Sequence, residues 1–282
     1  MYFGLSEDQK FFQDNVSKFL EDQSNLDVIR KITEGEANEI QQEIHDGLVN
    51  LGLGSLLIPE QYGGLGLDLL FATAVSQSLG EGLGPIPFAG SYIMAPLAIM
   101  HGGNQEQKNN YLTKMSENSM RIGVGFSEYI GARDNANISI NDNKISGRAL
   151  FVIDAKDASH LMLSDKNGMI GIVESSSSGI EITELVAVDK TRNFLEVQLK
   201  DVDIDILELT STSKEAIDKS IDAGRIILAA DSLGASQALI DKAVEYSKER
   251  KQFNRVIGSF QAVKHMCCLL YTSDAADEGL GV

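Results

Sequence analysis

Between Tyr246 and His265 the chain reads YSKERKQFNRVIGSFQAVKH, gathering an arginine, two carboxamides and an aromatic ring into one short basic stretch. Arg250 can pair bidentately with a pyrophosphate, Gln252 and Gln261 can hydrogen-bond polar edges, and Phe253 can lie against a flat ring. Asn254, Val256, Ile257 and Gly258 are read as a turn, after which Phe260 and Gln261 open a helical run. On spacing alone an ordinary exposed helix end with scattered lysines fits as well.

The surroundings make the stretch stand out. The 282-residue chain carries a formal net charge of −17, the wrong sign for a nucleic-acid binder or for a protein held to membranes by a polybasic face. A protein this acidic that takes a polyanionic ligand must supply local cations, and Lys242, Lys248, Arg250, Lys251, Arg255 and Lys264 do so. Hydrophobic content of 43% and charged content of 23% are those of a soluble globular protein of one large or two to three small domains. No apolar run reaches the length of a membrane span, and the first ten residues lack a cationic start with an apolar core. Cys267 and Cys268 make neither a disulfide framework nor a metal spacing, and the four histidines belong to no ligand motif, so no metal is expected. Cytoplasm is the default location.

Three textures position these residues. Residues 1–120 read as helical: Ser6 with Gln9 forms a capping box, followed by Phe12, Val16, Phe19 and Leu20 at helical spacing. Ile40, Ile44, Leu48 and Leu51 repeat that spacing up to Gly52, and later helices follow the glycine-rich loop 51–70. Residues 121–208 turn to short β-like runs such as Ile122–Phe126, Leu161–Leu163, Ile170–Val173 and Phe194–Leu199, separated by polar clusters. Helical spacing returns from Ser213, through Ile217, Ile221, Ile227 and Leu233. The expected fold is α+β: an N-terminal helical domain (1–120), a middle antiparallel β-domain (121–208), an incomplete C-terminal helical bundle (209–267) and an atypical tail (268–282).

That order, with several local matches, resembles the acyl-CoA dehydrogenases, flavoenzymes that use FAD. The 246–265 stretch is similar to their R-x-x-F-G-x-x-I-x-x-F-Q segment, and 51–70 to their P-E-x-Y-G-G-x-G loop. Glu106-Gln107-Lys108 with Tyr111-Leu112 resembles their E-Q-K-x-x-Y-L stretch. The resemblance covers nearly the whole chain to about Cys267. It implies that Arg250, Gln252, Phe253 and Gln261 contact FAD, reaching that of a neighbouring subunit, so that an oligomer is expected.

Where the family's chemistry sits, this chain departs from it. The family motif T-E-P-x-x-G-S-D corresponds to Ser127-Glu128-Tyr129-Ile130-Gly131-Ala132-Arg133-Asp134. Ser127, with the backbone of Phe126, keeps the hydrogen bonds to the flavin pyrimidine edge. Arg133 replaces a small serine near the substrate, and either pairs with a carboxylate or phosphate, fills the acyl entrance, or faces solvent. The aromatic-isoleucine-threonine triplet becomes Phe151-Val152-Ile153: Phe151 keeps the ring that covers the flavin, while Ile153 has no hydroxyl for the ring edge near N5. Plain buried strand residues would look the same.

The resemblance implies α,β-desaturation of an acyl-CoA thioester, which needs a carboxylate for the α-proton and an electron-transfer flavoprotein to receive the electrons. Most relatives place that glutamate on a late loop beyond this sequence. A minority place it just before an arginine on an earlier helix, where this chain has Gly224-Arg225; Asp222 faces another side, so no catalytic residue is assigned. The abrupt change after Met266 is read as a frameshift, a chimaeric join or a fragmentary gene, and the chain alone as inactive. The alternative is a non-catalytic, FAD-binding or supporting subunit of a homo- or hetero-oligomer. Asp189-Lys190-Thr191-Arg192 favours it, resembling a branch of mixed complexes acting on bulky, steroid-like acyl-CoAs.

Overall fold

The computed structural model describes residues 4–131, 136–208 and 213–276. Six helices come first: α1 (Glu7–Gln23), α2 (Leu26–Glu34), α3 (Asn38–Asn50), α4 (Leu69–Gly82), α5 (Ala95–Gly102), which continues a π-helical turn over Phe88–Met94, and α6 (Gln105–Ser116). Four of these starts are written in the side chains that satisfy free backbone N–H groups. Ser6 and Gln9 form the expected capping box, Asn104 and Gln107 form another, and Asn25 and Asp68 cap α2 and α4. Helix α2 has no counterpart in the periodicity reading, because its nine residues bury only Ile29 and Ile32.

The chain then forms an eight-stranded sheet from β1 (Ile122–Gly125), β2 (Ser139–Asn141), β3 (Lys144–Ile153), β4 (His160–Ser164), β5 (Ile170–Glu174), β6 (Ile180–Leu185), β7 (Phe194–Asp203) and β8 (Asp205–Ile206). The order is β6-β7-β3-β1-β4-β5-β8, with β2 on β3. The sheet is mixed: β1 and β4 pair in parallel, Val124 opposite Met162, whereas the expectation was antiparallel throughout. The cause is topological, since β3 runs against β1 and β4 turns back to lie on β1's other side.

Helix α7 (Ser213–Glu249) runs 37 residues, then a short hairpin of β9 (Lys251–Gln252) and β10 (Arg255–Val256) leads to α8 (Gln261–Ala276), which passes residue 267 without a break. No helix of the described residues is long and apolar enough to cross a membrane.

Helix α7 ties the molecule together. Ala223 and Ile227 join the core of α1, α3 and α4, while Ile217 and Ile221 join the core between α5, α6 and the sheet. Its crossing with α4 is unusually close. A Cβ on Gly80 would stand 1.9 Å from the Asp231 carbonyl oxygen, and one on Gly234 1.9 Å from that of Gln77. Further along, Leu239, Tyr246, Met266 and Leu269 are exposed on α7 and α8.

Candidate functional site

Phe126 and Ser127 follow β1 directly and are 5% and 6% exposed. Side chains alternate along a strand, so Ile122, Val124 and Phe126 share one face, and all three belong to the core packed under α5, α6 and α7. Ser127 faces a different need, because its hydroxyl has no hydrogen-bond partner among the described residues. Buried polar groups are normally paired within the protein or by a ligand or water.

Strand β3 lies antiparallel to β1 with Ile153 opposite Val124. Phe151 falls in a register shift between Ala149 and Val152 and has φ 54°. A left-handed backbone is rare for a bulky residue, and a bulge of this kind re-aims a side chain. Phe151 is accordingly 37% exposed while Leu150 and Val152 on either side are buried. Ile153 instead packs half-buried on the shared core, and a Cβ on Gly90 would stand 2.9 Å from its Cγ1. Arg133 lies outside the described residues.

The second group rides on the β9–β10 hairpin. Arg255 pairs with Gln252, leaving Phe253 (φ 52°) and Asn254 (φ 62°) as the two central turn residues. Both have the positive φ of a type I′ turn, a conformation that asparagine tolerates and phenylalanine does not. The turn therefore sits at 253–254, ahead of the 254–258 span expected from sequence, and a 3₁₀ turn follows at Ile257–Ser259. Phe253 is 87% exposed and meets Phe260 edge-on, at 6.2 Å between centroids; the Arg255 guanidinium lies 3.9 Å over the Phe260 ring. Arg250, Gln252 and Gln261 are exposed. β10 packs on α7, and the 3₁₀ turn after it on α7 and α8, so within one chain this group lies on the last helices rather than on the sheet that carries Phe126, Ser127, Phe151 and Ile153.

At the position considered for a catalytic base, Gly224 is buried, and a Cβ there would stand 2.6 Å from the Met94 sulphur. Asp222 is exposed and paired with Arg225 at 2.9 Å, on another side of α7.

Two structural roles escape the sequence reading. Asp154 Oδ2 accepts the Gly90 N–H at 2.6 Å, capping the first turn of the helix that becomes α5. Burial pushes this carboxyl up, against the pull of the Gly90 N–H and the Arg192 charge. The Asp189–Arg192 segment acts as a clasp. Asp189 Oδ1 accepts from the Thr191 N–H (2.9 Å) and hydroxyl (2.6 Å), and Arg192 Nη2 reaches Asp231 of α7 at 2.7 Å. An aspartate after an apolar strand announces nothing by spacing, and the distant partners of both are invisible in a linear pattern.

Comparison with known proteins follows the same outline. A family model described as "Acyl-CoA dehydrogenase, N-terminal domain" matches residues 6–119, and one described as "Acyl-CoA dehydrogenase, C-terminal domain" matches 215–276. The 3-(aryl)acrylate reductase of Clostridium sporogenes is 26% identical over 252 residues, covering 80% of this chain and 66% of the relative. The caffeyl-CoA reductase-Etf complex subunit CarC of Acetobacterium woodii is 24% identical, covering 94% and 75%. The solved butyryl-CoA dehydrogenase of Megasphaera elsdenii superposes with a TM-score of 0.81 at 21% identity, over 99% of this chain and 79% of that one, which shows the shared fold. The chain spans about two thirds of the length of the first of these relatives.

Proposed function

This chain belongs to the acyl-CoA dehydrogenase family, and from that premise we propose that it serves FAD-dependent α,β-oxidoreduction of an acyl-CoA thioester, with an electron-transfer flavoprotein as electron partner. Two relatives are named reductases and one of these is a subunit of an Etf complex, so the reading includes reduction of an α,β-double bond as well as its formation.

The observation that carries the reading is the end of β1: a Ser127 hydroxyl with no hydrogen-bond partner among the described residues, near a bulge that turns Phe151 outward. FAD, when bound, supplies the two-electron acceptor or donor for hydride transfer at the β-carbon. Ser127 and the Phe126 backbone are suited to hold the flavin pyrimidine edge, and Phe151 to cover a ring face. Ile153 fits less well, since it has no donor; a missing hydrogen bond there weakens stabilisation of reduced flavin by about 0.5–1.5 kcal/mol. Arg250, Gln252, Phe253 and Gln261 are the groups this chain offers to the FAD of a second subunit, which accounts for their exposure on a hairpin apart from the sheet. Arg133 is assigned to the thioester side.

Gly224 against Met94 supports a second reading, in which this chain is a supporting subunit and another chain supplies the carboxylate. Purified protein mixed with FAD and then, without oxygen, with an acyl-CoA separates the two. Flavin bleaching by this chain alone favours catalysis. Flavin binding without bleaching favours the supporting role, and absence of flavin binding in any oligomeric form overturns both.

A further inference from the structure

The proposed flavin contacts ride on two strands that hold each other at one point. Phe126 and Ser127 follow β1, and Phe151 and Ile153 close β3, yet the two strands meet in a single ladder pair, Val124 with Ile153. On its other side β1 pairs with β4 along its whole length, from Ile122 to Gly125. Strands joined at one pair can pivot about it.

Ser91, in the π-helical turn Phe88–Met94, supplies a second point. Its hydroxyl lies 2.9 Å from the Ile122 carbonyl of β1 and 3.2 Å from the Asp154 carbonyl just past β3. A helical serine often returns its hydroxyl to its own helix, as Ser232 does to the Leu228 carbonyl and Ser236 to that of Ser232, at 2.8 Å each. Ser91 is fully buried and reaches out to two strands instead. Its neighbour Gly90 holds Asp154 a second time, the N–H donating to Oδ2 at 2.6 Å. The strand ends touch here, since a Cβ on Gly123 would stand 2.4 Å from that of Ala155. Single π-turns frequently accompany functional sites, and this one sets two consecutive donors on Asp154.

Because β1 and β3 run antiparallel, residues after Val124 and before Ile153 lie to one side of that pair. Phe126, Ser127 and Phe151 are on this side; Ile122 and Asp154 are on the other. We propose that Ser91, anchored on Asp154, is a positioning residue for the flavin contacts, an inference that rests on the FAD reading above. Clipping the strands behind their one pair fixes the angle between them, and with it the separation of the Ser127 hydroxyl from the Phe151 ring. A ligand that must meet both groups at once binds more tightly when that separation is set beforehand.

The chain has no tryptophan, so Phe151→Trp places a lone indole at the bulge, where it is read in flavin-free protein. In that background Ser91→Ala should shift the emission maximum and change acrylamide quenching. Asp154→Ala should do the same, which keeps the test open should one variant fold poorly, whereas Asp154→Asn keeps an acceptor for Gly90 and should match the parent. Ser76→Ala removes another buried hydroxyl, bonded to the Ile227 carbonyl at 2.7 Å, and should leave the indole signal as it was. With Phe151 in place, titration followed by flavin fluorescence should show the Kd for FAD raised roughly two- to tenfold by Ser91→Ala and unchanged by Ser76→Ala. The proposal is overturned by an indole signal that neither Ser91→Ala nor Asp154→Ala moves, or that Ser76→Ala moves as far. An FAD Kd that Ser91→Ala leaves at the parent value also overturns it. If the parent binds no FAD, the flavin reading falls, and the indole comparison still decides whether Ser91 sets the two strands.

Discussion

Gly224 and Met94 fit together as backbone against thioether: a single added Cβ on the glycine would come 2.6 Å from the sulphur and 3.0 Å from Cγ. The Met94 carbonyl is also held, accepting the buried Ser220 hydroxyl at 2.8 Å. The helix position at which some relatives carry their base is thus a packed contact between α7 and the start of α5.

It follows that Gly224→Glu cannot simply restore a base. The substitution should cost about 1–3 kcal/mol by overpacking, and Gly224→Glu combined with Met94→Ala should recover much of that loss. Urea unfolding of the single and double variants checks it; equal stability of the parent and the Gly224→Glu variant would contradict the packing argument.

At the other end of the proposed flavin contact, Ser127→Ala should lower FAD affinity by about 0.5–1.5 kcal/mol, the worth of one hydrogen bond. Ile153→Thr should act in two directions. It offers a hydroxyl to the flavin, raising affinity by a similar amount, while replacing the packed ethyl arm by a hydroxyl should cost about 1–3 kcal/mol of folding stability. Fluorescence titration with FAD and thermal melts of the same samples read the two effects separately.

Asp154 gives a pH signature. Its folded-state carboxyl is shifted upward, burial being the main cause, so the folded protein holds this proton more tightly than the unfolded chain. The contribution to stability is then fully present below the ordinary aspartate range and is lost as pH rises through the folded value. Asp154→Asn keeps an oxygen for the Gly90 N–H and removes the buried charge. The variant should melt higher than the parent at pH 7, with the gap closing as pH falls through the folded value toward the ordinary aspartate range. A gap that widens on acidification would show the carboxylate, not the acid, to be the favoured form.

The clasp between Arg192 and Asp231 joins the β6–β7 connection to α7 at 2.7 Å, with both side chains largely enclosed. A double-mutant cycle with Arg192→Met and Asp231→Asn should give a coupling energy of about 1–2 kcal/mol. Additive effects would assign the clasp no energetic role.

Much of this architecture was legible because it rests on local rules. The Ser6–Gln9 capping box, the helical spacing through Leu48 and the strand pattern of Phe194–Leu199 each depend on a few neighbouring residues, and each stands where the pattern puts it. Strand β3 was legible only at its end. Gly147 (φ 122°) and the bulge at Phe151 interrupt the alternation between Lys144 and Ile153, so the regular two-residue period that marks a strand is lost. The site divides in the same way. Ser127 and Phe151 can be named from motifs, but the unpartnered hydroxyl and the outward turn depend on register with another strand. Gly224 shows the limit most plainly, because a glycine in a helix says nothing of the methionine 130 positions earlier that fills the space beside it.

The glycine crossing of α4 and α7 bears on the order in which the chain can mature. The core of the first helices includes Ala223 and Ile227, and the Ser76 hydroxyl donates to the Ile227 carbonyl, 2.7 Å away. During synthesis those helices emerge first yet stay open on one side until the entire sheet and the first half of α7 have left the ribosome. Contacts so distant in sequence form slowly, and half-closed apolar helices invite aggregation or chaperone binding meanwhile. The sheet is in this sense a long excursion between two parts of one helical core, and a nascent chain halted before α7 would hold a hydrophobic face with nothing of its own to cover it.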